Sequence, residues 1–136
     1  MLYVLMMTDP ELSYDNYSED FGIGIFKTEK EAEEVAQYYL ENVQGFCDYP
    51  CTYRIEKKEV VDNFEHVEPD IIWDVQGWNE NDYGDEIDIV ESACFLTKER
   101  AETELQLMKK KYQRSEWVVS RHKIGKLHWR DGFVRV

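Results

Sequence analysis

No stretch of about 18 consecutive apolar residues occurs in this chain of 136, so nothing in it is long enough to cross a membrane as a helix. Its first residues are not expected to act as a leader either. MLYVLMMTDP has no basic residue ahead of its apolar run and reaches Asp9 too soon for a signal peptide. The chain is therefore expected to open with a strand of a soluble, cytoplasmic protein. Cysteine is scarce and odd in number, at positions 47, 51 and 94, which points to reduced thiols rather than a disulfide framework.

Chemical signatures are also lacking. Cys47, Cys51, His66, His122 and His128 include zinc-ligand types, but the paired spacings of a zinc site are absent. The Gly22-Ile23-Gly24 stretch lacks the third glycine of a phosphate-cradling loop. Placing Gly84 at the sixth position of a calcium loop puts Tyr83 at the fifth and Val90 at the twelfth, where ligands are needed. Nothing selects a base or an oxyanion hole for a cysteine–histidine nucleophile. The reading assigns no catalytic residue, no metal and no cofactor. Basic residues are few until late: through Glu104 there are 27 Asp and Glu against 7 Lys and Arg, and from Leu105 onward 2 against 9. Such a surface repels nucleic acid over most of its area and draws basic partners.

What is present is repetition. FKTEKEAEEVAQYYLENVQGF, starting at Phe26, returns 69 positions later as FLTKERAETELQLMKKKYQRS. Phe26 falls on Phe95, Thr28 on Thr97, Ala32 on Ala101, Gln37 on Gln106 and Gln44 on Gln113. The same ungapped shift sets Tyr14 on Tyr83, Ile55 on Ile124, Lys57 on Lys126 and Phe64 on Phe133. Two repeats, 1–67 and 70–136, are expected to build one domain covering residues 1–136.

Each repeat reads as β-β-α-β. Leu2–Met7 and Phe21–Phe26 are strands by β-propensity, and Gly22 and Gly24 share one strand face, so something is expected to pack close to it. Thr28 opens a helix through a Thr-x-x-Glu capping box. Its inner positions are Ala32, Val35, Ala36, Tyr39, Leu40 and Val43, and Gly45 is a suitable C-cap. TYRIEKKEVVD is the closing strand. In the second repeat IIWDV and DIVESACFL are strands and QGWNENDYGDEID the loop. Thr97 caps a helix with Ala101, Leu105, Met108 and Tyr112 inside, and EWVVSRHKIGKLHW closes. The fold class is α+β: tandem repeats forming one mixed, largely antiparallel sheet of about six strands with both helices on one face.

The stretches YVL, GIFKTEKEAEEVA, GFCDYP and YRIEKKEV resemble a small bacterial α+β domain of unassigned function. That domain has a strand near its start, a GxYxSxEEA-type strand-to-helix junction, a GF-x-DYP loop and a closing W-x-x-GF. Here the loop falls at Gly45–Pro50 and the closing HWRDGF at His128–Phe133, one in each repeat. The resemblance implies a compact α+β unit and carries no catalytic residues. By type, small acidic proteins of this sort also resemble immunity proteins that neutralise bacterial toxins.

Two acidic, aromatic loops, 9–20 and 74–88, occupy corresponding places in the repeats. Tyr14, Tyr17, Trp78, Asp82, Tyr83, Asp85 and Glu86 are the candidate partner-binding residues, since exposed aromatics anchor interfaces and acids steer basic partners. The expected function is an acidic protein-binding module, an inhibitor or immunity protein covering a basic surface such as that of a nuclease toxin. It would contact neither nucleic acid nor membrane directly. The alternative is a small-ligand-binding regulator or small enzyme with a pocket between the repeats, using His122, His128 and a cysteine.

Overall fold

A computed structural model describes residues 1–12, 20–61 and 70–134. In chain order these form β1 (Leu2–Thr8), one 3-10 turn (Pro10–Leu12), β2 (Asp20–Phe26), α1 (Glu29–Asn42) and β3 (Thr52–Lys58). Then come β4 (Ile71–Glu80), β5 (Glu86–Glu91), α2 (Lys98–Lys111) and β6 (Glu116–Lys123). The class is α+β.

The single six-stranded sheet does not form. Among the described residues there are two three-stranded sheets, β2-β1-β3 and β5-β4-β6, and every pairing within them is antiparallel. In each, the first strand takes the centre and is filled on both sides by the two that follow. Short irregular segments, rather than further strands, meet the outer edge at two places, along β2 and just past the end of β5. The amides of Gly125 and His128 donate to the carbonyls of Ile25 and Ile23 on β2. Past the end of β5, Cys94 is bonded to Glu59 and Val61. The chain divides into two compact units, Met1–Lys58 with Ile124–Val136, and Glu59–Lys123. The first unit thus draws its last segment from the far end of the chain.

Local chemistry sets the helices as read. Thr28 and Thr97 sit in extended conformation, and their hydroxyls accept from the amides of Glu31 (3.1 Å) and Arg100 (3.3 Å). Such caps satisfy otherwise orphaned amides. Helix α1 buries Ala32, Ala36 and Tyr39, while α2 buries Ala101 and Met108, with Leu105 and Tyr112 packed beside them. α1 ends at Val43, whose amide donates to the Tyr39 carbonyl; Gly45 serves the turn beyond.

The ungapped shift of 69 lapses after the helices. Leu2 faces Lys58 across the first sheet, and Ile71, its counterpart, faces Lys123. The closing strands are thus offset by 65. The cause is the connection that precedes each: residues 43–51 in the first unit, only 112–115 in the second. β6 therefore ends at Lys123, short of the expected Trp129, and the residues after it are free for another role. In the other direction, β4 and β5 extend well into the expected loop 74–88, leaving a connection of 81–85.

Residues 124–134 form a strap on the first unit. Phe133 stacks on Phe21 with ring centroids 4.7 Å apart and meets Phe46 edge-on at 5.0 Å. Trp129 meets Phe21 edge-on at 4.8 Å, and the Tyr39 hydroxyl donates to the His128 carbonyl at 2.8 Å. These rings join a core of Leu5, Met7, Phe21, Ile23, Phe26, Tyr39 and Phe46. The strap approaches closest where side chains are missing. A Cβ on Gly24 would lie 2.9 Å from the Lys126 carbonyl oxygen, whereas Gly22 has only the Met6 side chain near it. At Gly132 the conflict is worst: φ is +75 and a Cβ would run into the Gln44 carbonyl oxygen.

Gly132→Ala is therefore expected to destabilise the protein by about 1–3 kcal/mol, through forced overpacking on top of an unfavourable φ. Gly84→Ala shares the positive φ of +81 but meets nothing within 4 Å, so it isolates the conformational part, about 1 kcal/mol. Equal denaturant midpoints for the two variants would show that the strap does not press on Gln44.

A second expectation concerns pH. Hydrogen bonding from Arg54, at 3.0 Å, holds the Asp20 carboxyl below the usual carboxylate range despite partial burial. A depressed carboxyl contributes stability above its unfolded-state value, and that contribution is lost as pH falls through the folded one. The pair is half exposed, so the effect is small. Arg54→Met should raise the Asp20 titration midpoint, followed by NMR, and shrink the acid-limb slope of stability. An unmoved midpoint would exclude Arg54 as its cause.

Candidate partner-binding surface

The second unit presents a hairpin made by β4 and β5, with residues 81–85 as its tip. Asn81 builds the tip. Its side-chain oxygen accepts from the amides of Tyr83 and Asp85, both at 2.9 Å, and its side-chain amide donates to the Asp85 carboxylate at 3.2 Å. The Asn81 backbone bonds to the amide of Gly84 and the carbonyl of Asp85. Asparagine suits this place because its short side chain copies a backbone turn. Gly84 supplies the left-handed residue, with φ +81.

Tyr83 stands at the apex, 90 % exposed. Asp82, Asp85 and Glu86 surround it, all exposed. Further along β5, Asp88 adopts φ +54 where the β4–β5 register slips between Gly77 and Asn79. That bulge is held from both sides: Asn79 donates to the Asp88 carboxylate at 3.1 Å and Arg114 Nε donates to the Asp88 carbonyl. Gln76 donates to the Glu91 carboxylate at 2.6 Å.

Trp78 does not belong with these exposed groups. It lies on the central strand opposite Glu116 of β6, half-buried, with its indole nitrogen shielded and without a hydrogen-bond partner. A central strand shelters its side chains between two neighbours, which a loop would not. The apolar exposure expected of Trp78 is supplied instead by Ile87 and Ile89, 40 % and 51 % exposed on β5. Their alternation with acids, Glu86-Ile87-Asp88-Ile89, was the available signal, but such a pattern usually marks a strand with one face in the core. Tyr14 and Tyr17 lie outside the described residues.

The residues of the alternative chemistry are also placed. His122 on β6 contacts the buried Asp74 on β4, Nε2 to Oδ1 at 2.8 Å. His128 is in the strap, exposed, with its backbone engaged by Ile23 and Tyr39. Cys94 is buried, and Cys47, Cys51 and Cys94 are not joined in disulfides. Desolvation and the neighbouring Asp48 carboxylate push the Cys47 thiol up, which leaves it less nucleophilic. Among the described residues no group of three or more His, Cys, Asp or Glu is arranged to hold a metal ion. No described helix is long and apolar enough to cross a membrane.

Comparison with family models, with curated proteins and with solved structures finds no match.

Because one side chain sets the tip, Asn81→Ala should loosen it at a cost of about 1–3 kcal/mol in lost amide partners. The amides of Tyr83 and Asp85 should exchange faster in hydrogen-exchange NMR while those of α2 stay unchanged. Undisturbed protection at both amides would contradict the role given to Asn81.

Proposed function

We propose that this chain is an acidic protein-binding module that covers a basic surface of a partner, an inhibitor of the immunity-protein kind acting on a basic nuclease toxin. The observation that carries this reading is Tyr83, 90 % exposed on a tip that Asn81 holds in place and that Asp82, Asp85 and Glu86 surround. An aromatic ring held out in water offers a partner apolar area to cover on binding. Fixing its backbone beforehand lowers the ordering entropy lost on binding. The carboxylates around it attract lysine and arginine at a distance and repel phosphate backbones, so the partner is a basic protein rather than nucleic acid.

A second reading, a small enzyme or ligand-binding regulator, is favoured by the Asp74–His122 contact alone. A buried carboxylate bonded to the ring holds its orientation, as a general base requires.

The test uses a partner recovered from the native host on immobilised wild-type chain, then purified. Association should slow as salt rises from about 0.01 to 0.1 M, because the Debye length shrinks from about 30 to 10 Å. Neutralising together Asp82→Asn, Asp85→Asn and Glu86→Gln should lower the low-salt on-rate about ten-fold, while Tyr83→Ala should chiefly raise the off-rate, also about ten-fold. A salt-independent on-rate, or binding indifferent to all four changes, would remove the hairpin from the interface. Loss of function in His122→Gln with the hairpin variants unaffected would favour the second reading.

A further inference from the structure

Strand β5 ends its sheet. It pairs with β4 on one side, and along Glu86–Glu91 no described strand flanks the other. The phase of its hydrogen bonds follows from both ends. The Ser92 amide donates to the Val75 carbonyl, so Ser92 and Val90 face β4 while Glu91 and Ile89 turn their backbone groups outward. The Asp85 carbonyl accepts from Asn81, so Glu86 also turns outward, and the bulge at Asp88 absorbs the change of phase. The free edge thus offers the amides and carbonyls of Glu86, Ile89 and Glu91.

This molecule already seats irregular chain against a sheet edge through backbone hydrogen bonds. The strap does so at Ile23 and Ile25 of β2, and Glu59–Val61 do so at Cys94, just past β5. Where the strap covers it, β2 is mostly buried; β5 is exposed at every residue but Val90.

We infer that the outer edge of β5 takes up an extended basic segment of the partner as an added strand. The inference rests on the reading of the hairpin as a partner-binding surface and adds the mode of binding. Its chemistry comes from the side chains beside the edge. Glu86, Asp88 and Glu91 would face their own kind across an edge-to-edge dimer, and like charges directly opposite are destabilising. They would face opposite charge on a segment in which lysine or arginine alternates with β-branched residues, and Ile87 and Ile89 would be covered by those branched side chains. Main-chain bonds would supply affinity and alternate side chains specificity.

The probe is a synthetic peptide, acetyl-(Lys-Val)-repeated-three-times-Lys-amide, titrated into the full-length isotope-labelled chain and followed by amide shifts and hydrogen exchange. Protection should rise at least ten-fold at the amides of Glu86, Ile89 and Glu91. N-methylating the alternate peptide residues that bond the edge should weaken binding at least ten-fold, while N-methylating the other set should leave it nearly unchanged. Ile89→Pro, which removes an outward amide, should behave like the first modified peptide, and Ile89→Val like wild type. If both methylated peptides bind as well as the parent, with shifts still on the hairpin, strand addition is overturned and the charge-led reading of the surface survives. If the peptide does not bind, or its shifts map to the glutamates of α1, both are overturned.

Discussion

The rest of this structure depends on the closure of Phe133 and its neighbours over Phe21 and Phe46. Unit one has only 58 residues before the chain leaves it, and units near that size bury a smaller share of their surface than larger domains and are marginal alone. The strap supplies the missing lid of aromatic rings. Each side chain of this size is worth about 1.5–3 kcal/mol when buried. Bringing the segment back costs loop-closure entropy that grows only with the logarithm of the intervening length, so a whole inserted unit adds little to it. The geometry of the seat is demanding all the same. Trp129 holds φ +58, a strained setting for a bulky residue, and Gly24, Gly45 and Gly132 leave no room for a Cβ beside the strap. A seat that tolerates so little displacement ties the first unit's integrity to the last turns of the chain.

That closure also explains where the sequence could be read and where it could not. The helices were legible because their determinants are local: a threonine cap, an alanine on the inner face four residues past it, and a tyrosine or methionine seven residues further on. The number and identity of the strands followed from β-propensity for the same reason. How the strands join is a long-range matter. Residues Gly45–Pro50 make a turn in which the Asp48 carboxylate accepts from the Gly45 amide at 2.9 Å, and the second unit has no such turn before β6. That one difference moves the closing strand by four residues and releases HWRDGF to become the strap. A comparison by constant offset sets Phe64 against Phe133 and cannot see the slip. The stretches GFCDYP and HWRDGF, far apart in the chain, meet in one unit: Phe133 packs on Phe46, lies 6.1 Å from the Tyr49 ring, and donates its amide to Gln44.

The candidate surface was legible in its charge and partly in its aromatics. Asp82, Tyr83, Asp85 and Glu86 stand where an acidic, turn-forming stretch puts them, outside the core. Trp78 was misplaced because strand pairing extends β4 past Trp78 to Glu80, and extension turns a loop residue into one flanked on both sides. Ile87 and Ile89 were missed because alternation alone cannot say which face of a strand is covered, and the bulge at Asp88 breaks the alternation midway.

The acids along β5 have two consequences that pull in different directions. An open edge strand invites pairing with another copy, and charged residues together with a bulge are common means of preventing it. Glu86, Asp88 and Glu91 fit that protective role, and the slip at Asp88 twists the edge as well. Yet a defence made of one sign of charge is selective. It repels an identical edge and leaves the backbone groups available to a strand of opposite charge. Had the same protection come from lysine, the protein would shun the basic surfaces that its overall net charge of −13 attracts. Where β5 takes up a basic strand as proposed, self-avoidance and partner choice come from the same side chains, so a substitution that neutralises the edge would weaken both together.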